Sequence, residues 1–326
     1  MRSLITPRAW PSVLMAGMLA AGAVLAQSYP TRPIRLIVPF PPGNFSDGGA
    51  RLAAQRLSDQ LGQPVIVENR PGAGGTVGTE FVSRAAPDGY TLVLGTASTL
   101  TVAPHVFKER KYEPQRAFVA MSTILTMPLT FVVRAGLPVT TVQELAVYGR
   151  ERPGILNFGS AGKGTQVHLS AEQFRQLAGV EATHVPFQGG APALTALLAG
   201  NVDYVFDLPS SSAAHHRAGK LKILAITSRA RLPLLPDVPT TAEAGMPELN
   251  VTAWMGVLAP TGVATEVVTR IDTAMRNALA TKEMIAALEN MGAMPLAAGP
   301  QEFTALIARE IASYADIVRR AGIQPD

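Results

Sequence analysis

Cysteine is absent from all 326 residues, which excludes disulfides and a lipid-modified cysteine at the N-terminus. Charge is sparse, at 16% of residues, and 28 Lys and Arg stand against 24 Asp and Glu. The basic side falls to 26 against 24, a net of +2, once the leader described below is removed with Arg2 and Arg8. No basic stripe interleaved with aromatics occurs, so nucleic acid is not an expected partner. Such a small excess attracts a small anion only weakly. The motifs of common catalysts are missing too. Gly159 to Thr165 resembles a nucleotide-phosphate loop, yet Lys163 is followed by Gly164 and Asn157 stands where its first glycine belongs. Residues 72–78 carry Val77 in place of the third glycine of a dinucleotide loop. Phe158 occupies the first position of what would otherwise be a Gly-x-Ser-x-Gly elbow. No zinc-ligand spacing is found, and neither a metal nor a cofactor is expected.

What is abundant is apolar surface, at 47% of residues, together with 29 glycines and 26 prolines. That composition supports two well-filled cores with many tight turns between short elements. Residues 1–26 read as a secretory leader. Arg2 and Arg8 supply its positive end, Trp10 to Ala23 its apolar stretch, and Val24-Leu-Ala26 a small-x-small cleavage site after Ala26. An uncleaved anchor is the competing reading, because the apolar run approaches the ~18-residue membrane threshold. Polar Gln27 and Ser28, with no basic stop-transfer cluster, favour cleavage. An exported chain without cysteine points to a bacterial periplasm.

The organising stretch is Phe158-Gly-Ser-Ala-Gly-Lys-Gly-Thr-Gln-Val-His-Leu169. Ile155, Leu156 and Phe158 predict a strand, and Val167, Ala171, Phe174 and Ala178 fall at helical spacing. Residues 160–165 then occupy the amino end of a helix, where backbone N–H groups are expected to be unpaired and the dipole is positive. Glycines let an anion approach such a backbone closely. Phe40-Pro-Pro-Gly-Asn-Phe-Ser-Asp47 repeats the idea after the strand at residues 34–38, with Ser46 expected as N-cap and Asp47 in the first turn. Two such loops suggest one carboxylate or phosphate held from two sides.

The helix after Asp47 is expected to bury Ala50, Ala53, Leu57 and Leu61 and to stop at Gly62. Strands at 65–67 and 90–94, with a short helix between, complete a parallel βαβαβ unit. Residues 102–126 read as irregular, and 129–133 as a new strand. The pattern then repeats through a helix at 142–151, the central loop, a strand at 182–186, a helix with Pro192 at its first position, and strands at 202–206 and 221–226. After a proline-punctuated connector the chain returns near Trp254 and closes with helices at about 264–280 and 300–321. The expected architecture is α/β, with residues 27–126 and 253–326 forming one lobe and 127–252 a second lobe inserted in it. Ligands of open α/β sheets sit beyond the carboxyl ends of the strands, which here is the cleft between lobes.

Taken in order, several motifs resemble the substrate-binding proteins of tripartite tricarboxylate transporters, the Bug-type family. They are Pro42-Gly43 with Asp47 and Ala50-Arg51; Asn69-Arg-Pro-Gly-Ala-Gly-Gly75; Pro87-Asp-Gly-Tyr-Thr-Leu92; and Ser160-x-Gly-x-Gly-Thr165-x-x-His-Leu169. Val185-Pro-Phe-x-Gly-Gly-Ala-Pro192, Leu197-Leu-Ala-Gly-x-Val-Asp203 and Leu235-Pro-Asp-Val-Pro-Thr240 follow. The resemblance implies a two-lobed periplasmic binding protein of type II-like fold, each lobe a mostly parallel sheet flanked by helices, with two crossovers. It also implies a monomer that delivers a small organic acid to membrane permease subunits. The implied ligand-binding set is Phe40, Gly43, Asn44, Phe45, Ser46, Asp47, Thr96 and Ser98 from the first lobe. From the second come Ser160, Gly162, Gly164, Thr165, His168, Phe187, Gln188, Gly189 and Asp207. Two departures from the family stand out: Asn44 where a second glycine is usual, and Leu208 directly after Asp207 where an Asn often intervenes.

Plainer readings stand beside these. Asp47 either orders water at the ligand or caps its helix, and His168 is better explained as a buried histidine bonded to backbone. Phe45 covers the ligand or packs, and Thr96 and Ser98 donate hydroxyls or are ordinary loop residues. Asp203 and Asp207 suit structural hydrogen bonds or an amino group better than an anion, and His215-His216 suits a solvated helix face. At the level of the whole chain, a sensor signalling to a membrane kinase and an exported hydrolase are the alternatives to transport.

Overall fold

Two sheets divide the chain, and the first draws strands from both of its ends. The computed structural model describes residues 29–320 and 322–325, so the leader expected over 1–26 lies outside the described residues. β1 (Ile34–Val38), α1 (Phe45–Leu61), β2 (Val65–Asn69), α2 (Thr76–Ser83) and β3 (Thr91–Thr96) form the expected βαβαβ unit, with β1 parallel to β2 and β3. The helix α1 buries Ala50, Ala53, Leu57 and Leu61 and ends at Gly62, whose φ of 70° is the left-handed conformation glycine tolerates best. Full burial of a leucine contributes about 1.5–3 kcal/mol, so Leu57 and Leu61 are the strongest ties of α1 to the sheet.

Residues 102–126 are not irregular. They hold the short helices α3 (Ala103–Val106) and α4 (Pro114–Ala117), then β4 (Phe118–Pro128), an 11-residue strand. β4 lies between β10 (Thr252–Pro260) and β11 (Met294–Pro295). Ser122 and Thr123 interrupt its apolar pattern yet are fully buried. The Thr123 hydroxyl accepts from Ala298 N–H at 2.8 Å and donates to Leu296 O, so the polar atom is paired inside the core. Register shifts against β10 further blur a two-residue period.

The second sheet contains β5 (Thr130–Arg134), β6 (Leu156–Ser160), β7 (Ala182–Pro186), β8 (Tyr204–Asp207) and β9 (Leu221–Ile226), in the order β7-β6-β8-β5-β9. Packed around it are α5 (Val142–Glu151), α6 (Gln166–Ala178), α7 (Gly190–Leu198) and α8 (Pro209–Arg217). α7 starts two residues before the expected first position at Pro192. Both sheets are mixed. β6 is parallel to β7 and β8, whereas β5 is antiparallel to β8 and β9; in the first sheet β10 is antiparallel to β3 and β4. α9 (Thr265–Leu279), α10 (Lys282–Asn290) and α11 (Pro300–Arg320) complete the first half.

The chain passes from sheet to sheet through a single residue, Leu129, and comes back beside it, with Thr252 paired to Pro128. Thr227 ties this region to the second half: its Oγ1 accepts from Leu129 N–H at 2.8 Å and donates to Val251 O. A small apolar cluster of Val102, Val106, Leu169, Tyr314 and Val318 joins α3 and α11 to α6.

Candidate functional site

α1, α6 and α7 each follow the carboxyl end of a parallel strand, so the positive amino end of each lies at the strand-end side of its own sheet. In the first loop the N-cap is Asn44, not Ser46. Its Oδ1 accepts from Asp47 N–H at 2.8 Å, and the helix begins at Phe45. The departure from a second glycine at Asn44 thus supplies a cap. Asp47 is buried and accepts from Gly43 N–H, Arg51 Nε and Asn69 Nδ2, each at 2.9 Å. Burial alone pushes its carboxyl up, but these donors together outweigh burial and hold it below the usual carboxylate range. Asn69 also donates to Phe40 O at 3.1 Å, fixing the loop from outside. Asp47 is therefore committed to shaping residues 40–47. Phe45 is half-buried against the first core.

The second loop is equally self-contained. Thr165 is the N-cap of α6, and its hydroxyl donates to Gly162 O at 2.8 Å. Gly162 N–H reaches Ser160 Oγ, Gly164 N–H donates to His168 Nδ1 at 3.1 Å, and Thr165 N–H bonds Gly162 O. The expectation of bare N–H groups across 160–165 is thus corrected at Gly162, Gly164 and Thr165. Positive φ values of 129° at Gly162 and 72° at Gly164 make this fold-back possible. His168 is the buried, backbone-bonded histidine that its helical position suggested. Accepting at Nδ1 leaves its proton on Nε2, 3.9 Å from Glu172.

His184 is the residue that sequence reasoning missed here. It lies opposite Phe158 across the β6–β7 ladder, and its ring stacks on His168 with centroids 3.9 Å apart. Its Nε2 is 2.7 Å from Ser160 Oγ. Burial, then the facing His184 and Lys163, pushes His168 down to about 3; burial and Lys163 push His184 down to about 4. Both rings are neutral at physiological pH. The only signal in the sequence was the position of His184 in a strand parallel to β6.

Phe187, Gln188 and Gly189 follow β7. Phe187 N–H donates to Ser160 O at 3.0 Å, Phe187 is half-buried, and Gln188 is exposed. Gly189, at φ 117°, is the N-cap of α7, and no side chain caps that helix. Asp207, at the end of β8, lies beneath it. Its Oδ1 is 3.8 Å from where a Cβ of Gly190 would stand, and its Oδ2 is buried without a hydrogen-bond partner. Burial raises its carboxyl to about 7, opposed only by the Leu208 N–H. Asp203 behaves differently, accepting from Arg134 Nε and Asn157 N–H at 2.8 Å each. His216 is not merely solvated, since its Nδ1 accepts from Ile223 N–H.

Residues 96–107 link the two halves of the site. Thr96 is buried beside Thr99, and Ser98 Oγ receives the first-turn N–H of Gln166 in α6 at 3.4 Å. A Cβ on Gly75 would lie 2.6 Å from Thr99 Cγ2 and 3.3 Å from the Phe40 ring. A Cβ on Gly164 would lie 2.4 Å from Val106 Cγ2. Phe40 and Gly164, one from each loop region, thus border the same connecting segment.

Comparison with known proteins accords with this architecture. The chain matches the family described as tripartite tricarboxylate transporter family receptor over residues 49–323. The periplasmic binding protein BugD superposes with a TM-score of 0.81 at 33% identity, covering 91% of this chain and all of its own. Rpa4515 of R. palustris, solved with adipate, gives 0.84 at 36%, covering 91% of this chain and all of its own. MatC from Rhodopseudomonas palustris, solved with bound malate, gives 0.80 at 35%, covering 89% of this chain and all of its own. With the family match over most of its length and these full-length neighbours, the chain belongs to the tripartite tricarboxylate transporter family of periplasmic solute-binding receptors.

Proposed function

We propose that this protein captures a small dicarboxylate, or a closely related organic acid, between two lobes and hands it to the permease subunits of a tripartite transporter. The lobes are the halves built on the two sheets, which divide at Leu129 and again just before β10, two to three residues from the bounds expected at 126 and 253, after export and cleavage behind Ala26. The observation that carries the reading is that α1, on the first sheet, and α6 and α7, on the second, each begin just beyond the carboxyl end of a parallel strand. Each contributes a positive potential of about half a charge, suited to an anion. Adipate and malate in two solved relatives support a dicarboxylate as the ligand class.

The internal bonding of the glycine loops favours a preorganised frame over a flexible clasp. Residues 40–47 and 160–165 are held in place by Asp47, Asn69, Thr165 and His168 before any ligand arrives. The ligand then pays little ordering cost for these loops. Binding is favoured over catalysis for a specific reason. Ser160 and His184 sit at nucleophile–base distance, but a histidine pushed down to about 4 is a poor base near neutral pH.

The test is titration calorimetry and thermal shift against mono-, di- and tricarboxylates and aromatic acids. At least one dicarboxylate is expected to bind and raise Tm. Failure of every organic acid to do so would remove the reading.

A further inference from the structure

Among the described residues, five carboxylates are buried: Asp47, Glu172, Asp203, Asp207 and Asp272. Four of them have an arginine within ion-pair distance, namely Arg51, Arg175, Arg134 and Arg276. Asp207 alone has none. It is 6% exposed, its Oδ2 lacks any partner, and its Oδ1 faces the start of α7. That nine-residue helix opens on Gly189 and Gly190 with no side-chain cap, so its first N–H groups remain on offer at the Phe187–Gly189 loop. An acid kept in the core without a cation is costly, and other carboxylates of this chain avoid that cost.

The surroundings of Asp207 offer nothing to neutralise it. β5 presents Thr130, whose hydroxyl donates to the Asp207 carbonyl and meets Ser212 of α8. α7 carries no titratable side chain, and the titratable groups of α8, His215, His216 and Arg217, fall in its last turn. Beyond β6 stand Lys163, exposed on its loop, and the neutral His184 of β7; at the other end of β8, Asp203 is paired to Arg134.

Resting on the carboxylate-receptor reading above, we propose that Asp207 is the proton-carrying group of the ligand site. A ligand carboxylate seated on the first N–H groups of α7 comes to lie beside the Asp207 carboxyl. Two carboxylates in one small buried volume do not both stay ionised. Asp207 therefore takes one proton from solvent as the anion binds, and its Oδ2 then becomes an O–H donor directed at the ligand. The same group discriminates among ligands, because it accepts an anion only together with a proton. Burial has already brought the empty-site carboxyl up to about 7, so the proton is cheap near neutral pH and scarce above it.

The test is calorimetry of adipate and malate binding to the full chain at pH 8, in two buffers of different ionisation enthalpy. The wild type is expected to take up about 0.9 proton per ligand, and its Kd to rise toward tenfold per pH unit above 7. Asp207→Asn, whose amide cannot be protonated in this range, is expected to show no uptake and a Kd independent of pH. Glu310 also titrates near 7, so Glu310→Gln serves as the control and is expected to retain the uptake. Infrared difference spectra of the wild type provide a readout independent of any variant: a protonated-carboxyl band should appear on ligand addition at pH 8. Binding without proton uptake, uptake that survives Asp207→Asn, or absence of that band would each overturn the proposal while leaving the receptor reading intact. Absence of binding at every pH would instead overturn the receptor reading, and this proposal with it.

Discussion

The side-chain amide of Gln166, in the first turn of α6, donates to Thr252 O at the start of β10 at 2.9 Å. The same nitrogen reaches the Tyr314 hydroxyl of α11, also at 2.9 Å. One buried amide thus pins the helix that carries the second glycine loop to the strand and helix of the first half. Gln166→Ala is expected to cost about 1–3 kcal/mol, because a buried carbonyl loses its donor. Gln166→Glu should cost more, since it sets a carboxylate against that carbonyl. Chemical denaturation of the two variants measures both.

Asp47 is the keystone of residues 40–47, and its loss strands Gly43 N–H, Asn69 and Arg51 together. Asp47→Ala should lower stability by about 2–3 kcal/mol and weaken dicarboxylate binding through disorder of the loop. The pH sign follows from its lowered pKa. The contribution of Asp47 is complete above the unfolded carboxylate range and is lost as acid titrates the native carboxyl. Urea denaturation from pH 7 to 3 should show a shallower acid loss in Asp47→Ala than in the wild type.

Gly164 leaves no room for a side chain. A methyl would stand 2.4 Å from Val106 Cγ2, on a backbone of φ 72° that L residues rarely adopt. Gly164→Ala should push α6 away from α3, lowering stability by about 1–3 kcal/mol and weakening dicarboxylate affinity about tenfold or more. Gly179→Ala, at a similar φ of 63° with nothing within 4 Å, is the control: backbone strain without the clash, and affinity unchanged.

His168 and His184 stack on each other as neutral rings, with pKa values pushed down to about 3 and about 4. Unfolding frees both to take protons below about 6.5. The stabilisation is therefore complete above pH 6.5 and lost as pH falls toward 4, the unfolded chain binding more protons in that window. A loss on the order of 2–4 kcal/mol is expected between pH 6.5 and 4. His184→Asn should flatten that slope, which guanidinium denaturation across the pH range would measure.

Much of this fold was legible in the residues. Apolar spacing placed α1 and α6, and Gly62 marked a stop, because those signals are local. The family resemblance, read from ordered motifs, agrees with the match over residues 49–323. What escaped depended on distant partners. β4 was hidden because Ser122 and Thr123 look like breaks until residues 296–298 are folded against them. Ser46 looked like the better cap until Asn44 was seen to reach Asp47. The glycine loops looked bare because their internal acceptors, the Asp47 carboxylate and His168 Nδ1, become partners only once each helix has turned back on its loop. Asp207 stood out only by what it lacks: the other buried carboxylates have an arginine, and a sequence does not show that one is missing.

The most direct test of the account is a crystal structure grown with adipate or malate. Ligand carboxylate oxygens are expected within hydrogen-bond distance, directly or through one water, of groups in both 43–47 and 160–165, with one carboxylate at the start of α7. A ligand bound to one half alone, or anywhere away from these three helix amino ends, would contradict it.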